Sequence, residues 1–290
     1  MDWQVIINGL LLGGLYGLAA IGFSLIWGVM NIVDLAQGAY LTLGAYITFW
    51  LFNLWGVDPF LTLPISALVL FGLGYLIESQ IIKRVLRYGL VMMLVVTYGL
   101  NLLLQNAMLV AWSADYRSVT PAYSGAGLVI GGASIPYIRL ALFIAALLLV
   151  GLLTFFLSRT RMGNAIRATS LNRLAASFVG VRTDFIYALT YGLAAATVGM
   201  AGSLISMVYT VSPSLGGTFM TKIFVVTVLG GFGSISGAVV GGLILGVTEA
   251  LTASYVAPGL MNAVSFIMLV LILIFRPQGL FGKQFYGVTN

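Results

Sequence analysis

Apolar stretches of about 20 residues, each long enough for one helical crossing of a bilayer, recur along this chain, and most of the charge lies in the segments between them. Such a chain can place its polar segments in water only by passing back and forth through lipid as helices. The composition agrees. Hydrophobic residues make up 61% and charged residues 7%, against roughly 25% charged in soluble domains. The most polar internal segment is Ser158–Asp184, which holds Arg159, Arg161, Arg167, Arg173, Arg182 and Asp184. Five arginines between two membrane-competent runs place this segment on the cytoplasmic side. Ile166, Leu171, Leu174, Ala175 and Phe178 recur at mostly helical steps, so the segment reads as a short amphipathic helix against the inner membrane face, the alternative being an ordinary charged loop.

Other residue types limit the chemistry. The chain has no histidine and no cysteine, which removes serine–histidine and cysteine–histidine catalysis, histidine-ligated metal and disulfides. The net charge of +6 follows from basic cytoplasmic loops and calls for no nucleic acid. The opening MDWQVIINGLLLGG has no basic region, so it reads as a retained first helix and not a cleaved signal.

In chain order, the first span runs over Val5–Met30, with Gly9, Gly13 and Gly17 on one face for close helix approach. Asn31–Gly38 follows, carrying Asp34 and Gln37. A short apolar run, Ala39–Trp55, then suggests a broken or half-penetrating helix. Pro59–Ile77 is the next span, and Glu78, Lys83, Arg84 and Arg87 mark a cytoplasmic loop after it. Tyr88–Trp112, Tyr137–Leu157 and Phe185–Thr210 are further spans, and Ser113–Pro136 is a polar outside loop. Lys222–Leu229 is apolar but too short to cross, and Gly230–Gly242 holds six glycines in 13 residues, against one straight helix. Leu243–Tyr255 and Leu260–Phe275 complete the apolar part, and Arg276-Pro277 and Lys283 belong to the cytoplasmic tail.

With Lys83–Arg87, Arg159–Arg182 and Arg276–Lys283 inside, the N-terminus lies outside. Thr210 (outside) and Arg276 (inside) then need an odd number of crossings between them. That parity requires a break in Val211–Tyr255, placed at Gly230–Gly237. The expected fold is an all-α polytopic membrane protein of about nine membrane segments, some broken or re-entrant. It forms a single domain over residues 1–290, with the C-terminus cytoplasmic.

Asp34, Lys222 and Glu249 stand near helix breaks or inside apolar runs, where an ionisable group needs a partner or a wet cavity. Together with Gln37 they are candidates for a translocation path, the alternative being interfacial placement or an internal ion pair. Gly38, Gly230, Gly231, Gly233 and Gly237 are expected to permit helix breaks. GLFGKQ does not have the spacing of a nucleotide phosphate loop.

Four stretches together resemble the shorter permease type of bacterial ABC importers of the branched-chain amino acid class. They are NGLLLGGLYGLAAIGFSLIWGVMNIVDLAQGAYLTLGAY, TRMGNAIRATSLNRLAASFVGV, FMTKIFVVTVLGGFGSISGAVVGGLILGVTEAL and FRPQGLFG. The resemblance implies a multi-pass inner-membrane subunit that binds no cofactor itself. ATP and magnesium belong to two cytoplasmic partner subunits, a periplasmic binding protein delivers substrate, and a sister permease completes the pair as a heterodimer or homodimer. It assigns ATPase coupling to Gly163, Arg167, Ala168, Ala176 and Gly180. Leu35-Ala36-Gln37-Gly38-Ala39 departs from the family's usual histidine- and glutamate-bearing run. Urea, short amides and small carboxylates therefore stand beside branched-chain amino acids as substrates, with a stand-alone secondary transporter or an intramembrane enzyme as other classes.

Overall fold

A computed structural model describes residues 3–125, 127–130 and 133–282. Among them the helices are α1 (Trp3–Met30), α2 (Gln37–Trp55), α3 (Leu63–Ile77), α4 (Lys83–Val85), α5 (Leu90–Trp112), α6 (Tyr137–Arg159), α7 (Arg161–Leu171), α8 (Arg173–Phe178), α9 (Thr183–Ile205), α10 (Leu215–Gly230), α11 (Ile235–Tyr255) and α12 (Met261–Phe275). Among the described residues seven helical stretches are long and apolar enough to cross a membrane; α10 is apolar but shorter.

The centre of the bundle is α1 and α9, whose spans are mostly buried, while those of α5, α6 and α12 are buried at few positions. Glycines set the central packing. A side chain at Gly13 would come within 2.6 Å of the Gly242 carbonyl, and one at Gly9 within 2.6 Å of the Val247 backbone. The glycine face of α1 is thus a backbone-to-backbone seam against α11, as its four-residue spacing predicts.

Several expected boundaries differ. The segment after Ile77 is not a loop: a π-helical turn, Glu78–Ile82, carries α3 into α4. The loop between α5 and α6 contains a short antiparallel hairpin of β1 (Gly127–Ile130) and β2 (Ala133–Pro136), a small addition to a helical fold. That loop is strapped down by Arg117, which pairs backbone to backbone with Val211 and lies over the rings of Phe49 and Trp50. Burial, together with the hydrogen bond its hydroxyl donates to Asp58 Oδ2 at 3.0 Å, raises the Tyr123 phenol above its ordinary range.

The break in the glycine-rich region is present. Helix α10 ends at Gly230, Gly231 and Gly233 have φ of 101° and 77°, and α11 starts at Ile235. Positive φ is what admits glycine there. Gly237 lies inside α11, where its N–H donates to Ser234 Oγ, and packs against Gly230. Gly38 likewise lies inside α2, the break preceding it at residues 31–36. Both are therefore close-approach positions and not breaks. Leu280 and Phe281 donate their N–H groups to the carbonyls of Leu229 and Gly230, capping the end of α10 with the tail. Lys283 lies outside the described residues.

Candidate functional site

The four residues expected on a path form two hydrogen-bonded pairs. At the entrance to α2, Asp34 Oδ1 accepts the Ala36 N–H at 3.0 Å, and its Oδ2 accepts from Gln37 Nε2 at 2.6 Å. Asp34 and Gln37 are fully buried, and Gln37 Oε1 meets no protein donor. The hydroxyls of Tyr40 and Tyr191 are 3.2 Å apart, joining α2 to α9. Helix α2 meets the first turn of α10 here: a side chain at Gly38 would lie 2.6 Å from the Gly216 carbonyl. The first turns of two helices thus meet inside the bundle, an arrangement that interrupted membrane helices use to line polar paths.

The second pair is an ion pair. Lys222 Nζ of α10 contacts both carboxylate oxygens of Glu249 on α11. Tyr16 of α1 donates to Glu249 Oε2 at 2.9 Å, and Ser265 of α12 donates to Oε1 at 2.9 Å. The ammonium also sits 4.9 Å from the Tyr16 ring centroid, and the Tyr209 hydroxyl lies 3.3 Å from that of Tyr16. Both charges are buried and both are satisfied, which intramembrane charges require. Four helices meet on this one carboxylate.

The arginine-rich segment forms two helices, where periodicity predicted one. Thr160 caps α7 by accepting the Gly163 N–H at 3.0 Å, and Asn172 caps α8 by accepting the Ala175 N–H at 3.0 Å. Asn172 thereby stops one helix and starts the next. Of the residues assigned to coupling, Gly163 and Ala176 face the body of the protein and Ala168 is half-buried, while Arg167 and Gly180 are exposed. Gly163 packs on the Leu157 carbonyl. Arg167 donates to the Ser158 carbonyl at 3.2 Å and to Asn164 Oδ1 at 2.5 Å.

Of the apolar positions behind the helical pattern Ile166 is buried against the body, but Leu171, Leu174 and Phe178 point outward, and with the neighbouring Val179 they are 70–87% exposed. With exposed Arg159, Arg161, Arg167, Arg173 and Arg182 they make a surface of apolar knobs among guanidinium groups, the composition of an interface core with a charged rim. The sequence signal for it was available, since large apolar side chains packed among arginines in a water-exposed segment have nothing of their own to pack on. Among the described residues no group of three or more metal-ligating side chains occurs.

Comparison with known proteins matches residues 5–273 to the family model described as branched-chain amino acid transport system / permease component. The chain is 32% identical to the high-affinity branched-chain amino acid transport system permease protein BraD of Pseudomonas aeruginosa, over 97% of this chain and 95% of BraD. It is likewise 32% identical to the permease protein LivH of Escherichia coli K12, over 97% and 95% of the two chains. Among solved structures, PsaBC from Streptococcus pneumoniae in complex with Fab superposes with a TM-score of 0.50 at 16% identity, covering 96% of this chain and 94% of that one. That last likeness concerns the fold alone.

Proposed function

The chain belongs to the branched-chain amino acid transport system permease family, and from that premise we propose that it is half of the membrane passage of an ATP-driven importer in the bacterial inner membrane. Residues 1–290 act as one permease domain, with the N-terminus outside and the C-terminus in the cytoplasm. Nine segments enter the membrane: α1, α2, α3 with its extension, α5, α6, α9, α10, α11 and α12. A sister permease completes the passage, and a periplasmic binding protein delivers the substrate. Two cytoplasmic subunits hydrolyse magnesium-bound ATP, this chain having no nucleotide site of its own. The relatives BraD and LivH are named for branched-chain amino acid transport, and the proposed cargo is accordingly leucine, isoleucine and valine.

The observation carrying the coupling reading is the exposed apolar set on α7 and α8 among five arginines. Apolar area removed from water contributes about 25 cal/mol per Å², and the guanidinium groups suit carboxylates on a partner. Gly163, Ala168 and Ala176 let this element seat closely on its own body, while Arg167 and Gly180 meet the ATPase. Alternating access then requires two states that the nucleotide-bound partner favours differently. Asp34 and Gln37, where α2 and α10 begin inside the bundle, line the path; Lys222 and Glu249 hold its wall.

The test is reconstitution of the chain with its sister permease, ATPase subunits and binding protein in vesicles. Leucine uptake should depend on both ATP and the binding protein. Arg167→Glu should weaken ATPase association by at least about ten-fold, since like-charge juxtaposition at an interface costs several kcal/mol. Uptake by this chain alone, or calorimetric binding of urea or an amide but not leucine by the binding protein, would refute the respective part.

A further inference from the structure

Glu78 is 1% exposed, yet its Oε2 meets no protein hydrogen-bond donor. A buried carboxylate oxygen without a protein partner is costly and calls for an explanation. The residue opens the π-helical turn Glu78–Ile82, closed by the Lys83 N–H on the Glu78 carbonyl. Five residues along an α-helix turn the side chain by about 140°. A hydrogen bond from residue i+5 to residue i instead brings the two positions nearer to one face, and such turns gather at functional sites. The distortion therefore sets Lys83 nearer to the face of Glu78 than a regular helix would.

Lys83 nonetheless reaches elsewhere. Its Nζ is 2.9 Å from Asp184 Oδ2 at the start of α9, and Arg173 Nη2 of α8 is 3.1 Å from Asp184 Oδ1. Arg173 also lies 4.8 Å from the Tyr187 ring centroid. Asp184 thus holds the first residue of α8 and the end of the α3 extension together. Glu78 sits in electrostatic reach of Asp184, Lys83 and Arg173. Lys83 and Asp184 are about half exposed, so their pairing is weak and readily exchanged.

We propose that Glu78 is a positioning residue of the transport cycle: Lys83 and Arg173 exchange between Asp184, their partner in this structure, and the buried carboxylate of Glu78. Two acids sharing two bases give two discrete arrangements of one contact, which is what a mechanical link between packed elements needs. Movement of α8 when its outer surface is engaged would release Arg173 from Asp184. Glu78 would then take up a cation and shift the end of α3 against α9. The inference rests on the reading of residues 158–184 as the ATPase-docking element.

The experiment uses the reconstituted transporter with its ATPase partners and binding protein. Because the chain lacks cysteine, Leu171→Cys supplies a single crosslinking site for docking. Glu78→Gln, which keeps the shape and removes the charge, and Asp184→Asn should each lower leucine uptake per ATP hydrolysed by about ten-fold, a typical coupling between sites. Crosslinking to the ATPase and the melting temperature should persist, and Glu78→Asp should recover most of the coupling. An unchanged ratio with the crosslink retained overturns the exchange. A fall in melting temperature that accounts for the loss marks Glu78 as merely structural and overturns it as well. Absence of the crosslink with Glu78 intact removes the docking reading, and the proposal with it.

Discussion

Glu249 accepts from Tyr16 and Ser265 and pairs with Lys222 inside the bundle, so the effect of removing any one partner depends on what is left behind. Lys222→Met leaves a buried carboxylate with two hydroxyl donors and no countercharge; Glu249→Gln leaves a buried ammonium. Breaking a buried pair from one side costs about 3–5 kcal/mol. Each single variant should therefore lower the unfolding midpoint in detergent sharply. The double variant Lys222→Met/Glu249→Leu removes both charges and should regain most of that loss, because apolar replacements of a whole buried pair are often near neutral. Ser265→Ala deletes one donor to a charged acceptor and should cost about 1.5–3 kcal/mol. A double variant as unstable as the sum of the singles would show that the pair is held for more than helix attachment.

At the level of elements, glycine contacts decide which helices touch. A Cβ at Gly202 would fall 1.9 Å from the Leu41 carbonyl, whereas one at Gly99 meets nothing within 4 Å. Gly202→Ala should therefore destabilise the protein by about 1–3 kcal/mol through overpacking, while Gly99→Ala leaves the unfolding midpoint unchanged or slightly raised. Asn172→Ala should loosen α8 by about 1 kcal/mol, read as faster amide exchange over residues 173–178. These elements were unequally legible from residue order. A close-approach face on α1 could be read from glycines four apart, because a stripe of missing side chains has one steric meaning; that α11 fills it could not. The break at Gly231 could be read from local glycine density and from the parity of crossings. The start of α10 could not: Gly216 and Gly217 argue for a loop, and only packing of the first turn on Gly38 makes it helical. Nor could the π turn at Glu78, since nothing local separates it from the end of a helix. Members of both candidate pairs were visible as polar or ionisable residues near helix breaks or inside apolar runs. That Lys222 faces Glu249 depends on how α10 and α11 pack, which spacing alone does not encode.

For the molecule as a whole, charge and geometry assign the same ends to the same sides. Lys83, Arg173 and Asp184 form one cluster, so the ends of α3 and α6 and the start of α9 share a side. Arg117 pairs with Val211 and Tyr123 with Asp58, which brings the connections after α2, α5 and α9 together on the other. Basic residues predominate on the first side, which the proposed topology puts in the cytoplasm, where such loops stay. On that proposal, large exposed apolar side chains such as Val91, Val110, Leu152 and Ile274 would face lipid or the proposed sister permease. The absence of cysteine makes this arrangement directly testable. Tyr116→Cys and Val179→Cys each replace an exposed side chain, one on each proposed side. In intact spheroplasts a membrane-impermeant maleimide should label the first and spare the second until the membrane is opened. The reverse pattern would invert the topology and put the arginine-rich surface out of reach of any ATP-hydrolysing partner. Labelling of both from outside would mean that α6 and α9 do not cross, although each is long and apolar enough to do so.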